Sequence, residues 1–402
     1  MRLKPKNARG VTTRHRALPG VDQRLRGLIA GVAVALASVA VVLGLPSVAG
    51  ASPVDGDGMW IWRLSDTGGT AESIADKAKS EGYEWVAIKS GDGDDQWSQF
   101  TPELANQIKS RGVRVCDWVF VYGADPLAEA RVSAQAKKDG ADCLIIDAEG
   151  HYEGRYAAAD AYMRKLRNLV GNRYKLGFTS FPYVDFHPSL PYSVFLGRNG
   201  AQFNLPQVYW KTIGDSVRES YEHTYVWNRP YGRKIFPLGQ TYLGPSKTEL
   251  RNFRRHGNEF EARGVSWWAW HTTAGKEWNA GSAKVGKVKG YEALGDFVHL
   301  NRGASGDFVL QAQQLLRAFK IRAPVNGKLN NATSDALFKF QRRKGIAKTG
   351  DLNNATWRKL LKREPVQIRW DKRKQSQPGF VSSAARSSSP IQSELPFTPG
   401  RP

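Results

Sequence analysis

Residues 113–149, VRVCDWVFVYGADPLAEARVSAQAKKDGADCLIIDAE, read as a strand, a helix and a second strand. Two runs rich in Val, Ile and aromatic residues, 113–122 and 142–149, flank an amphipathic stretch that closes on Gly140, the residue type that most readily ends a helix before the chain turns back. The same alternation extends outward in both directions. MWIWRL (59–64) and EWVAIKS (84–90) precede this unit; KLGFTSF (175–181), LPQVYW (205–210), KIFPLGQTY (234–242) and VSWWAWHT (265–272) follow it. Amphipathic stretches lie between them, and the first four close on Gly82, Gly112, Gly140 and Gly171. Repeated strand–helix units imply a parallel sheet with its faces covered by helices. Eight strands are the number that closes a barrel, so the expected fold class is α/β, a TIM-type (β/α)8 barrel over residues 58–280. No GxGxxG or GxxxxGK follows the first strand, and neither a nucleotide nor any other cofactor is expected.

In such a barrel the chemistry sits at the C-terminal strand ends. Along 142–149, Cys143, Ile145, Asp147 and Glu149 share one parity and Leu144 and Ile146 the other, so the first set should face the interior, apolar below and ionisable at the top. Residues two apart on a strand place side chains about 6–7 Å apart, near the spacing at which one carboxylic acid protonates a glycosidic oxygen while a neighbour steadies positive charge. Like charge and partial burial should raise one of the pair, with Glu149 at the rim the expected general acid. Asp147 and Glu149 are therefore the catalytic candidates, against the alternative of a polar strand end in which Asp147 fixes a loop. Candidate substrate contacts from the other strand ends are Asp66, Lys89, Asp92, Tyr122, Tyr183, Tyr209, Trp210, Gln240, Trp268 and Trp270. Aromatic faces suit sugar rings, whereas Trp60, Trp62, Trp85 and Trp118, early in their runs, read as core. GDGDD (91–95) reads as a solvated substrate-side loop, and His151, His187 and His271 lack metal-binding spacing, so no metal is expected. Cys116 and Cys143 have inward parity on neighbouring strands; a disulfide and two small buried thiols are both open readings.

The chain of 402 residues carries a net charge of +22, with 13 Trp, 14 Tyr and 17 Phe, which excludes wholesale disorder, collagen and coiled coil. The charge is uneven: +7 over 1–26, +1 over 52–300, +9 over 301–361 and +5 over 362–402. A nearly neutral barrel argues against specific nucleic-acid binding and for partners such as anionic lipids or cell-wall polymers. Residues 27–45 are apolar and uncharged, follow Arg24 and Arg26, and precede the small residues SVAGA. The segment 27–49 after the basic 1–26 thus reads as a transmembrane helix or a cleaved signal peptide. A single-pass anchor in the cell membrane with an extracytoplasmic region is the favoured expectation, and a secreted or wall-associated protein the alternative. The sequence gives no oligomeric state.

After a Gly- and Lys-rich linker, 281–300, residues 301–362 change composition: three short helical patterns begin near Asp307, Thr333 and Asn354, with Ser305, Thr333 and Asn354 as caps or near-caps, Gly345 closing the second, and Phe340 and Trp357 expected in the core. Residues 363–402, rich in Ser, Pro, Lys and Arg, should form a disordered tail.

Two resemblances carry these observations further. The module resembles the peptidoglycan-binding domain type 1, with Gly327, Leu329, Thr333, Ala336, Phe340, Gln341, Gly345, Gly350, Thr356, Trp357 and Leu360 in order, Asn326 where an Asp is usual and Asn330 where a Gly is usual. That resemblance implies peptidoglycan as partner. The strand IIDAE resembles the D-x-E strand of family 25 glycoside hydrolases, the Chalaropsis-type lysozymes, which cut the N-acetylmuramic to N-acetylglucosamine linkage. It implies Glu149 as the acid and Asp147 as the group that stabilises the transition state or orients the acetamido group. Trp60, Ile61 and Trp62 stand where that family has an Asp, with Asp66 a loop substitute, and Trp270 and His271 stand where it has another. The fuller D-x-x-D-x-D-x-E pattern of chitinases is interrupted by Ile145. The expectation is a muramidase-like cell-wall hydrolase cleaving β-1,4 bonds; the alternative is a non-catalytic wall-binding protein with a sugar-binding barrel.

Overall fold

The computed structural model describes residues 52–293 and 295–370; the basic segment 1–26, the apolar run 27–49 and the chain beyond 370 lie outside them. Ten strands form one sheet: β1 (Gly58–Ile61), β2 (Trp85–Asp92), β3 (Asp95–Gln96), β4 (Arg114–Val121), β5 (Cys143–Ala148), β6 (Leu176–Ser180), β7 (Phe203–Pro206), β8 (Lys234–Ile235), β9 (Leu238–Gln240) and β10 (Ser266–Trp268). Their order is β8-β7-β6-β5-β4-β2-β1-β10-β9, parallel throughout, with β3 hairpinned antiparallel onto β2. GDGDD is the turn of that hairpin. The result is an α/β fold with a curled, largely parallel sheet.

All eight sequence stretches supply strand residues, but the seventh is split. Pro237 has no amide to donate, and pairing changes sides around it: β8 pairs with β7, β9 with β10. A bridge between Gln207 and Leu238 continues the first contact. The connecting helices are α1 (Ala71–Ser80), α2 (Pro102–Ser110), α3 (Pro126–Lys138), α4 (Tyr156–Val170), α5 (Tyr192–Phe195), α6 (Trp210–Ile213), α7 (Val217–Asn228), α8 (Lys247–Glu259) and α9 (Gly275–Ser282). Ser216 and Ser246 open α7 and α8 with capping boxes completed by Glu219 and Glu249. Gly82, Gly112 and Gly140 follow the first three helices at φ of +84°, +83° and +82°, a conformation costly for residues with a Cβ.

Strand parity divides the core. Trp60, Trp85, Trp118, Cys143, Ile145, Phe203, Leu205 and Leu238 cluster on the inner face, whereas Leu144 and Ile146 pack with the helices. Cys116 and Cys143, register partners on β4 and β5, are joined by a disulfide with an S–S distance of 1.99 Å.

Three further helices follow: α10 (Asp307–Ala318), α11 (Asn331–Lys344) and α12 (Asn354–Leu360). Phe340 and Trp357 are wholly buried among them. The caps of α11 and α12 are Asn330 and Asn353, whose side chains accept from the amides of Thr333 and Thr356; Asn330 replaces the expected glycine because its short side chain closes the helix start. Two buried glutamines brace the loops. Gln313 accepts from the amides of Asn326 and Gly327, and Gln341 accepts from the Gly350 amide.

Two expectations are corrected. No helix among the described residues is long and apolar enough to cross a membrane. The single-pass membrane reading is corrected accordingly: no described helix carries it, and its apolar segment, 27–49, lies outside the described residues. The disordered tail does not start at 363 either. Val366 donates to Gln314 O, Trp370 donates to Asp160 Oδ2 at 2.8 Å, and the Trp370 ring packs on Tyr156, so residues up to 370 return to the sheet's helices.

The helical module is also not a tethered body. The sheet and the three helices form one compact unit. Helix α10 enters the junction with Asp307, wholly buried, and with Phe308 against Trp227. Gln311 donates to Pro230 O and Gln314 to Ser193 Oγ.

Candidate active site

The C-terminal ends of β5 and β7 bring together a carboxyl pair and an amide. Asp147 is 7% exposed on the inner face, in register with Phe120 of β4 and Thr179 of β6. Glu149, just beyond β5, is half-buried. The Gln207 amide nitrogen donates to Glu149 Oε1 at 2.8 Å and to Asp147 Oδ1 at 3.3 Å. Both carboxyls thus accept from one amide nitrogen, which brings them beside each other at the top of the sheet.

Burial is the first reason that both acids titrate above the ordinary carboxylate range. For Asp147 repulsion from Glu149 adds to it, Lys89 opposes it, and the rise is large. For Glu149 the Gln207 amide, His187 and Asp147 work against the rise. Gln207 serves both acids, and Asp147 is the more deeply buried of the two.

Beside the pair, Lys89 is wholly buried. Its ammonium sits 3.1 Å from Asp92 Oδ2, 4.5 Å from the Trp97 ring centroid and 4.9 Å from that of Trp118. Burial pulls Lys89 below its usual range against the attraction of Asp92. The Tyr122 hydroxyl donates to the other Asp92 oxygen at 2.7 Å. A register shift between Lys89 and Gly91 brings Asp92 level with Phe120, and hence with Asp147. Tyr209 joins the inner cluster, and burial, with Tyr242 and the two carboxyls adding to it, pushes its hydroxyl well above the usual range. Trp268, partly buried, meets Trp118 edge-on at 5.3 Å and Trp60 at 6.1 Å.

The remaining sequence candidates lie elsewhere or are occupied. Trp210 is 1% exposed in the helix-side core, tilted on Phe253 at 5.2 Å and donating to Glu249. Trp210 starts α6 with the parity opposite to Leu205 and Tyr209, which face the inner cluster. Trp270 is likewise turned outward beyond β10, packing edge-on against Trp278 at 4.8 Å. Neither Trp is available for sugar stacking, which corrects the sequence assignment. Gln240 accepts from the Lys211 amide and donates to Tyr242 O, so it ties the turn after Tyr209. The buried Tyr183 donates to Asp215 at 2.5 Å and stacks on His223. Asp66 is exposed in a short turn after β1.

Sequence reasoning missed Gln207 and His187. Gln207 shares the parity of Leu205 and Tyr209, a signal that could have found it. His187 lies in the loop after β6, where no period exists.

A sequence comparison with curated proteins finds no match. Among solved structures, the chain is similar to the catalytic domain of a hyperthermophilic chitinase from Pyrococcus furiosus, at 11% identity and a TM-score of 0.43, covering 56% of this chain and 93% of that one. It is similar to the spore cortex-lytic enzyme SleL of Bacillus cereus, at 12% identity and 0.44, covering 56% and 73%. It is similar as well to dihydrodipicolinate synthase from Rhodopseudomonas palustris, at 12% identity and 0.34, covering 54% and 71%. Overlaps this loose select no chemistry among those proteins. The C-terminal helices are more specific: residues 305–360 match the family described as "Putative peptidoglycan binding domain", so the chain carries a peptidoglycan-binding module at this end.

Proposed function

We propose that the chain is a muramidase-like hydrolase of β-1,4 glycosidic bonds in peptidoglycan, with the curled sheet acting as a closed (β/α)8 barrel and the wall module holding the polymer beside it. The observation that carries this reading is the convergence of Asp147 and Glu149 on the Gln207 amide, with burial raising both acids above the ordinary carboxylate range. Glu149, the more accessible of the two, donates its proton to the glycosidic oxygen as the bond to the anomeric carbon breaks. Asp147 takes up the role of orienting the sugar's acetamido group, whose carbonyl oxygen attacks that carbon. One amide donating to both carboxyls holds them side by side, so a nucleophile supplied by the substrate fits better than a second protein carboxylate across the sugar. Water then opens the intermediate and returns a proton to Glu149.

Tyr122, Tyr209 and Trp268 supply aromatic surface around the pair, and the Lys89–Asp92 pair supplies polar contacts. The module's +9 charge, with Lys320, Arg322, Lys339, Arg342 and Arg343 around one groove, suits anionic wall polymers as a second partner.

Glu149→Gln removes the transferable proton at nearly constant shape and should lower reducing-end release from purified peptidoglycan at least about 100-fold. An unchanged rate would exclude Glu149 as the acid. No release by the unmodified protein on several wall chemotypes would instead leave a barrel that only binds sugar.

A further inference from the structure

The loop after β6 carries an exposed aromatic ring at the end of the sheet where the carboxyl pair sits. Phe186 is 53% exposed; among the described Phe, Tyr and Trp residues the other exposed ring is Phe338, on α11, at 36%. Phe186 meets Tyr183 edge-on at 5.4 Å and His223 at 5.6 Å. Those two rings stack at 3.8 Å, and each is tied to a carboxylate: the Tyr183 hydroxyl donates to Asp215, and His223 Nε2 lies 2.7 Å from Asp185 Oδ1. A lone apolar side chain in water calls for no explanation, whereas a ring propped in this way offers a fixed apolar surface beside the strand ends.

Contacts run from this loop in both directions. Toward the carboxyl pair, the Ser189 hydroxyl donates to Glu153 Oε2 at 2.9 Å and Ser189 O accepts from the Gly154 amide at 2.8 Å, in the turn that follows Glu149. Toward the wall module, Pro188 O accepts from the Asp307 amide at 2.8 Å, and a Cβ on Gly306 would come 3.1 Å from that of Pro188. His223 also stacks on Trp227, which Phe308 of α10 meets at 5.0 Å.

Immediately before Gly306 lies a groove of about 770 Å³, with walls formed by residues 302–305 and 328–332. The walls are paired, the Gly303 amide donating to Leu329 O and the Leu329 amide to Ala304 O. Arg302 and Lys328 are exposed there, neither pairs with a carboxylate among the described residues, and no acidic residue lines the groove. Two such cations suit a ligand that carries carboxylates better than a neutral sugar.

We propose that the carboxyl pair, Phe186 and this groove are successive parts of one binding site for a single peptidoglycan strand. A sugar ring lies on Phe186, and an acidic peptide carried by the strand reaches Arg302 and Lys328. Because the module is docked through buried contacts, the spacing is fixed, and the cut falls at a set distance from the point that the module holds. The inference rests on the hydrolase reading for the identity of the ligand, but binding tests it without turnover.

Glu149→Gln leaves the strand intact, so calorimetry on the full chain in that background can compare fragments of two sugars with peptide-bearing strands of about eight. One long strand should bind per chain, at least about 10-fold tighter than the short fragment. Phe186→Ala should lose about 10-fold on the long strand and nothing on the short one, and Phe186→Trp should retain the affinity. Arg302→Ala combined with Lys328→Ala should weaken the long strand only when it carries its peptides. All three side chains are exposed, so the fold tolerates these changes. Two long strands per chain, a long-strand affinity unmoved by Phe186→Ala, or a peptide-bearing strand indifferent to the paired substitution overturns the proposal. An active protein that fails these binding tests rejects the shared site alone. Length-dependent binding in an unmodified protein that releases no reducing ends rejects hydrolysis alone.

Discussion

Where the sheet's helices meet the wall module, the Tyr156 hydroxyl donates a 2.9 Å hydrogen bond to Oδ1 of Asp307. The same carboxyl accepts from Tyr231, at 2.8 Å, and from the Ser193 amide and hydroxyl, at 2.7 and 2.6 Å. Four donors converge on a group with no exposed surface, yet burial outweighs them and raises Asp307 from 3.8 to about 6. The native state therefore binds a proton more tightly than the unfolded chain. Its contribution is fully present below about pH 4 and is lost as pH rises to about 6, a change of at most about 3 kcal/mol. Thermal unfolding of the unmodified protein compared with Asp307→Asn should show this slope in the first and its absence in the second; equal slopes would contradict it.

Gln207 should matter more than its absence from any motif suggests. Gln207→Leu keeps the volume and removes the donor shared by Glu149 and Asp147. The ionised form of Glu149 then loses a partner, so its titration and the basic limb of reducing-end release should both move to higher pH. Turnover should fall about 10-fold or more as the pair loses its orientation. A pH profile identical to that of the unmodified protein would show that the amide does not act on the pair.

The period-2 alternation of 142–149 was enough to place Cys143, Ile145 and Asp147 inward and Leu144 and Ile146 outward, because a strand's geometry leaves no other choice. The rule fails two residues past the end of β10, where Trp270 turns into the helix-side core although it shares the parity of Trp268. Trp210 has the parity opposite to Leu205 and Tyr209, so its place in the helix-side core follows the alternation, against the composition signal that it shares with Trp268. His187 was silent for a related reason: a loop residue gains its meaning from what it packs against, here Phe181 and Glu153, and neither partner is set by a period. The docking of the module was hidden by composition, since the Gly and Lys residues of 281–290 look like a tether whatever the surfaces on either side do.

The Cys116–Cys143 disulfide closes a loop with a sequence separation of 27 that includes all of α3. By loop-closure entropy it should stabilise the fold by about 3.5 kcal/mol. Both cysteines are wholly buried in the inner cluster, so the paired substitution Cys116→Ala with Cys143→Ala should lower the denaturant midpoint without displacing the carboxyl pair on the same strand. Equal midpoints for the two proteins would mean that the cross-link adds nothing to the folded state.

The module should stay with the sheet even after the chain between them is cut. Lys284, Lys287 and Lys289 are exposed in a stretch without helix or strand, which makes it the natural site for trypsin. On the far side of that stretch, however, the contacts are those of a core: the buried Asp307 network, Gln311 on Pro230, Phe308 against Trp227, and Trp370 on Tyr156. Arg233 adds a bidentate pair with Glu364 at the rim. Burial of this kind does not depend on the covalent link. The two nicked fragments should therefore co-elute in size-exclusion chromatography and pellet together on purified peptidoglycan at about 0.5 M salt, where surface charge attraction is screened. Asp307→Ala, which leaves four donors facing an empty space, should let them separate. If the fragments of the unmodified protein part on cutting, and only the helical one pellets, the module is a tether after all and the junction contacts are too weak to hold it.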